Sequence, residues 1–289
     1  TTEIYTLSLH DALPISKRSG LERPRVDRGR MRAWFANVAL LVAAACGTPT
    51  IDAPDPYIPN HEIRSGYAFL TPETQALQDD PFENPGLLWV DRGETLFSSA
   101  DTDAPSCASC HSNGLQGVAA TYPKVDPRTG EVLNLEARIN SCRTEHQKLD
   151  PLGYESDALL ALTTYIASES RGEPISVDLS GVAGDAYARG RDYFLTRRGQ
   201  FNLSCQQCHT ENWGQQLRGD TISQGHGNGF PAYRLEWQSL GSLQRRLRDC
   251  DTGVRAEPLP FGDETYIALE LYLSARSQGL ELESPAVRR

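Results

Sequence analysis

Apolar residues recur at helical spacing in two matched places along the chain. Leu159, Leu162, Tyr165 and Ile166 mark one stripe; Ile267, Leu269, Tyr272 and Leu273 mark the other. Positions three and four apart share a helix face, so each stripe predicts an amphipathic helix laid on a core. Earlier in each half, Gly93 and Phe97, and again Gly190 and Phe194, stand four residues apart. That spacing puts a glycine and a ring on one helix face, where a second helix approaches the glycine and the ring packs beside it. Thr71 before Pro72 and Asn84 before Pro85 read as N-caps followed by first-turn prolines and predict two helix starts. No sustained period-two run predicts a sheet. The glycine-rich stretch from Asn212 to Pro231 reads as a long loop. The fold class expected is all-α, built as two tandem domains related by internal duplication.

The first 46 residues change what counts as the protein. Thr1 to Ser16 reads as translated adapter sequence, and the only Met is Met31, so residues 1–30 are set aside from the fold. Arg32 followed by the charge-free run Ala33 to Ala45 has the form of a secretory signal over 31–45, too short for a permanent span. Cleavage there exposes Cys46; Ala-Ala-Cys is a weak lipobox, so a lipid anchor at Cys46 is a possibility to test. Export to the periplasm is expected. Residues 1–46 hold 7 of the 28 basic and 4 of the 38 acidic residues, leaving 21 against 34. So acidic a product, with no basic face interleaved with aromatics, is a poor nucleic-acid binder. Residues 46–64 read as a lead-in, 65–174 as domain 1 and 175–289 as domain 2, with the boundary at Arg171-Gly172-Glu173-Pro174.

Cysteine placement brings in the chemistry. The first half holds Cys107-Ala-Ser-Cys110-His111 and the second Cys205-Gln-Gln-Cys208-His209. C-x-x-C-H is the c-type haem attachment pattern: two thiols add to the vinyl groups and the adjacent His ligates iron. Zinc knuckles need pairs about 15–20 residues apart, whereas these lie 98 apart. A redox dithiol suits CxxC but leaves the repeated His without a reason. Two covalently bound haem c groups are therefore expected, with loops wrapped around them.

A second repeat supplies the other side of each iron. Leu135-Glu136-Ala137-Arg138-Ile139-Asn140-Ser141-Cys142-Arg143-Thr144 aligns without gaps on Leu243-Gln244-Arg245-Arg246-Leu247-Arg248-Asp249-Cys250-Asp251-Thr252. No Met follows Met31, so His/Met ligation from within the mature chain is excluded. Each half offers one spare thiol at the same place, which makes Cys142 and Cys250 the axial candidates. A Cys142–Cys250 disulfide and a bis-His arrangement using His146 or His226 remain open alternatives.

From about Ser65 to Arg289 the chain resembles the SoxA family, the dihaem subunits of the SoxAX cytochromes of thiosulfate oxidation. The resemblance is carried by Ser65-Gly66-Tyr67 with Thr71-Pro72-Glu73-Thr74, and by Asn134 through Glu145. It continues through Cys205 to His209 with Asn212-Trp213-Gly214, Ile222 to His226, Tyr233 to Trp237, and Leu240 to Arg246. It implies an L-cysteine S-thiosulfotransferase working with a SoxX-type monohaem subunit. Thiosulfate is joined oxidatively to a cysteine of the carrier SoxY (in SoxYZ), and two electrons pass to c-type cytochromes. Matched residue by residue, it implies His111 and Cys142 on the first haem and His209 and Cys250 on the second. It also implies Cys250 as the active-site cysteine and Arg246 as the substrate arginine.

The residues agree with that assignment. A guanidinium holds a sulfonate by paired charge-assisted hydrogen bonds, and Arg246 lies one helical turn before Cys250. Arg138 holds the equivalent place in the first half, so either half has the makings of a site. Arg245 and Arg248 set the second half apart in charge, although in helical geometry they point elsewhere and read as partners of acidic surface. His226 reads equally as a support to the haem or as a loop residue. Two further functions stay in view: a thiosulfate dehydrogenase forming tetrathionate, and a dihaem electron carrier with no substrate site.

Overall fold

Two close helix pairs frame the protein, and each is made possible by one glycine. The computed structural model describes residues 58–100 and 103–289. The adapter-like stretch, the signal segment, Cys46 and the lead-in as far as residue 57 lie outside the described residues. In chain order the elements are α1 (Pro72–Asp79), α2 (Leu87–Ser98), α3 (Cys107–Cys110), β1 (Lys124–Val125), β2 (Val132–Leu133), α4 (Leu135–Cys142) and α5 (Asp157–Ser168). The second half adds α6 (Val182–Leu195), α7 (Cys205–His209), β3 (Gln216–Leu217), β4 (Asp220–Thr221), β5 (Ala232–Arg234), β6 (Ser239–Gly241), α8 (Leu243–Gly253), α9 (Glu264–Arg276) and β7 (Ala286–Arg288).

Helix α2 packs on α5, and α6 on α9. A Cβ on Gly93 would run into the backbone carbonyl of Ala161, and one on Gly190 into that of Ala268. Phe97 meets Tyr165 and Phe194 meets Tyr272, each pair with ring centroids 5.2 Å apart. The predicted glycine–aromatic arrangement is thus present twice, with the same partners in each half. Around the first pair Phe97, Leu135, Ile139, Leu159, Leu162 and Ile166 close a core. Around the second, Tyr187, Phe194, Leu247, Tyr266, Leu269 and Tyr272 close another. Small pieces are exchanged: Ile175 and Leu282 join the first core, while Val125 and Val132 pack on the second.

Thr71 caps α1 as predicted, its hydroxyl accepting from Thr74 N–H. Asn84 departs from expectation, because α2 begins three residues later at Leu87. Its side chain instead accepts from Gly86 N–H and donates to the Gln78 and Pro285 carbonyls, pinning the turn to the C-terminal segment. The structure also adds three small sheets: β1–β2, β3–β4, and β6–β5–β7, in which β5 pairs antiparallel with β6 and parallel with β7. Strands of two or three residues are too short to leave an alternating pattern, and β7 reaches β5 from more than fifty residues away.

Between the halves lies a buried polar cluster. Asn134 and Gln244 both donate to Glu270 Oε1, at 3.1 and 2.6 Å, and Tyr154 donates to Asn134 Oδ1 at 3.2 Å. Burial holds both Glu136 and Glu270 well above the usual carboxylate range, with the charge of Glu155 adding to the rise at Glu136 and that of Glu136 to the rise at Glu270. Glu136 and Gln244 occupy the same place in the ten-residue repeat, so α4 and α8 meet α9 with equivalent side chains.

Candidate functional site

Each half gathers three thiols from two helices. Cys107 and Cys110 lie on α3, Cys205 and Cys208 on α7, and both helices are short because they consist of the C-x-x-C motif itself. Ser106 caps α3 by accepting from Ser109 N–H, and a Ser204–Gln207 capping box closes the start of α7. The third thiol comes from the repeat. Asn134 caps α4 by accepting from Ala137 N–H, and Ser242 caps α8 by accepting from Arg245 N–H. The charge of Cys142 acts on Cys107 and that of Cys110 on Cys142, while Cys250 acts on both Cys205 and Cys208. All six cysteines among the described residues are free thiols, so Cys142 and Cys250 are not bridged.

Burial raises the Cys107, Cys142 and Cys208 thiols, and pushes Cys205 up to about 11. Half-buried thiols with raised values, beside a spare sulfur, suit covalent attachment to a large apolar group better than solution redox chemistry. His209 gives the clearest fit to haem. Its Nδ1 lies 2.8 Å from the Ser223 carbonyl oxygen, which only accepts, so the proton sits on Nδ1 and the Nε2 lone pair is left for iron. Burial, with Arg246 and Arg276 nearby, lowers His209 to about 4, keeping the ring neutral. A Cβ on Gly225 would meet the His209 ring at 2.7 Å, which explains the glycine there. In the first half His111 is exposed and stands beside Phe97, with ring centroids 6.3 Å apart.

The surroundings of the second set are the more elaborate. Arg198 Nη1 donates to Cys205 Sγ at 3.6 Å, lies 3.6 Å from Asp251, and its guanidinium covers the Tyr193 ring. Tyr193 and Tyr266 both donate to Asp251 Oδ2, at 2.7 and 2.6 Å, which fixes α8 at the residue after Cys250. His226 is committed on both sides. Nε2–H donates to Gln224 Oε1 at 3.2 Å, and Nδ1 lies 3.0 Å from the Ser277 hydroxyl oxygen. It is a half-buried neutral brace between the long loop and the end of α9, not a free imidazole.

Arg246 and Cys250 fall four residues apart within α8, so the expected helix is present and both are half-buried on one face. Arg245 and Arg248 correct the sequence expectation, since neither serves acidic surface alone. Arg245 lies over the Trp237 ring at 4.2 Å, donates to Ser239, and sits 3.9 Å from Glu155. Arg248 donates to the Leu259 carbonyl and covers Phe261. Stacking on a ring hides a guanidinium that helical geometry alone would have left in solvent.

What separates the halves is a carboxylate. Arg138, the counterpart of Arg246, lies 3.3 Å from Asp126, which is buried. Among the described residues no carboxylate lies within 4 Å of Arg246. Arg234 on β5 shares its environment, a residue that sequence reading placed only within the run Tyr233 to Trp237 and assigned no role. Ser223 likewise stood only within the run Ile222 to His226 and Arg198 was unmarked, because a backbone carbonyl and a cation placed on sulfur leave no spacing signal.

Comparison with known proteins agrees with this geometry. A family model for the SoxA/TsdA cytochrome c domain matches residues 92–175 and again 189–282, one segment per thiol set. The L-cysteine S-thiosulfotransferase subunit SoxA of Pseudaminobacter salicylatoxidans is 40% identical over 237 residues, covering 80% of this chain and 82% of that one. Its namesake from Rhodovulum sulfidophilum is 39% identical over 231 residues, covering 78% and 80%. The crystal structure of SoxXA from P. pantotrophus aligns with TM-score 0.76 at 37% identity, over 78% of this chain and 87% of that chain. The fold is that of a c-type cytochrome with covalently attached haem c, and the chain belongs to the SoxA subunits of the SoxA/TsdA cytochrome c family.

Proposed function

We propose that this chain is the SoxA subunit of an L-cysteine S-thiosulfotransferase, that it carries two haem c groups, and that its substrate site lies at Cys250. Cys107 and Cys110 would attach one haem, with His111 and Cys142 on its iron. Cys205 and Cys208 would attach the other, with His209 and Cys250. When bound, these groups supply one-electron redox capacity at low potential, because thiolate ligation favours ferric iron.

The residues of this chain do the rest. Arg246 holds the sulfonate oxygens of thiosulfate and turns the outer sulfur toward Cys250, one helical turn away. The net change is one new sulfur–sulfur bond between that outer sulfur and the carrier cysteine. The carrier thiol loses its proton to water, and two electrons leave to two c-type cytochrome acceptors. Partners are therefore a SoxX-type subunit, a SoxY-type carrier within SoxYZ, and an electron acceptor, all in the periplasm after export.

The observation that carries the reading is the contrast between the two arginines: buried Asp126 lies 3.3 Å from Arg138, while among the described residues no carboxylate lies within ion-pair distance of Arg246 beside Cys250. Carrier-conjugation turnover of the haem-loaded complex tests it. Cys250→Ala and Arg246→Ala should abolish or cut turnover, and Arg138→Ala should leave it within about twofold. If Cys142→Ala abolished turnover while Cys250→Ala kept it, the site would belong to the first half.

A further inference from the structure

We propose that Arg234 is a second guanidinium of the thiosulfate site, and that Arg234 and Arg246 together make the site select a dianion. This rests on the reading that thiosulfate binds beside Cys250.

Arg234 ends β5, the central strand of the β6–β5–β7 sheet, and is only 5% exposed. Its Nη2 donates to Glu236 Oε2 at 2.6 Å, and its guanidinium lies 4.9 Å from the Trp237 ring centroid. Its Nε is buried and has no partner. A guanidinium does not shed its proton, so a buried unpaired N–H there marks a missing acceptor. The charges of both Arg246 and Cys250 reach Arg234, so two cations and the reacting sulfur share one environment. Two like charges brought together in a half-buried place are unfavourable until an anion lies between them. Glu236 pairs directly with Arg234 alone and reaches Arg246 only at longer range, and it does so from the rim, with its side chain 55% exposed. One exposed carboxylate is thus shared between two cations, the Arg234 Nε–H remains without an acceptor, and an oxyanion of charge two supplies both counter-charge and acceptors.

The first half shows what a closed version looks like. Lys124 and Asp126 stand two apart ahead of α4, as Arg234 and Glu236 stand two apart ahead of α8. There the acid is buried and turned to the helix arginine, Asp126 to Arg138 at 3.3 Å. In the second half the acid is taken by its own strand's arginine, and the helix arginine is left open. One exchange of partner converts a neutral pair into an anion site.

The test measures thiosulfate binding to the haem-loaded complex by calorimetry, with no carrier present. Methanethiosulfonate serves as the monoanionic comparison. Arg234→Gln should weaken thiosulfate by roughly tenfold or more, the scale of a lost charged hydrogen bond, and weaken the monoanion less. Glu236→Gln, a change at an exposed side chain, should tighten thiosulfate by freeing Arg234. Wild-type binding by Arg234→Gln with an unchanged haem spectrum would overturn the inference. So would a shifted haem potential without a change in binding, which would assign Arg234 to a haem carboxylate. Should Arg234→Gln not fold, Glu236→Gln decides alone, and no tightening sinks the proposal. If Arg246→Gln loses affinity and Arg234→Gln does not, only this inference falls. If the wild type binds no thiosulfate, the functional reading falls with it.

Discussion

At the scale of single residues, two cysteines and one histidine tie the sequence to the chemistry. Cys142 and Cys250 occupy matching places, and each shares an environment with the two thiols of its own half. Electron paramagnetic resonance of the oxidised protein should therefore show low-spin signals of thiolate type. Cys142→Ala should remove the signal of one haem only; an unchanged spectrum would take Cys142 off the iron. The cysteines and both motif histidines were legible because their chemistry forces a fixed local spacing. Ser223, Asp126 and Arg234 were not, since they act from other segments through contacts made only after folding. Arg245 and Arg248 mislead for the same reason: charge is visible in sequence, whereas the aromatic ring covering it is not.

At the scale of elements, the duplication was readable because a helix pair has a periodic signature. The glycines show how closely the pairs are built. Gly190→Ala gains up to about 1 kcal/mol in helix propensity but drives a methyl into the Ala268 backbone. Overpacking against a carbonyl that cannot rotate away costs roughly 1–3 kcal/mol, so the variant should be less stable in denaturant titration. Gly93→Ala, against Ala161, should behave likewise. The small sheets lay outside what sequence reveals, because β5 is completed by a strand from the end of the chain.

The buried carboxylates between α4, α8 and α9 carry a pH dependence of definite sign. Glu136 and Glu270 are raised to about 7 and about 8 in the folded protein, against an ordinary value of 4.5. Over that window the folded state binds more protons than the unfolded chain, so stability falls as pH rises. Asn134, Gln244, Tyr154 and Glu155 face the pair, and no cation is hydrogen-bonded to either carboxylate among the described residues. The melting temperature should drop from pH 5 to pH 8, and Glu270→Gln should flatten part of that slope. A melting temperature that climbed over this range would contradict the assignment.

At the scale of the whole molecule, the chain joins two equivalent scaffolds, and only in the first does a buried carboxylate lie against the helix arginine. The intact mass of the purified product should equal the polypeptide beginning at or beyond Cys46 plus two haem groups. One haem, or an unprocessed start, would correct that proposal. The central claim is that oxidised thiosulfate is delivered to a cysteine of another protein. Its most direct test is the intact mass of the carrier after incubation with thiosulfate, oxidised cytochrome c and the haem-loaded complex. The carrier should gain one thiosulfate less a proton, with two cytochromes reduced per conjugate. An unmodified carrier with tetrathionate accumulating would contradict the account and make the protein a thiosulfate dehydrogenase.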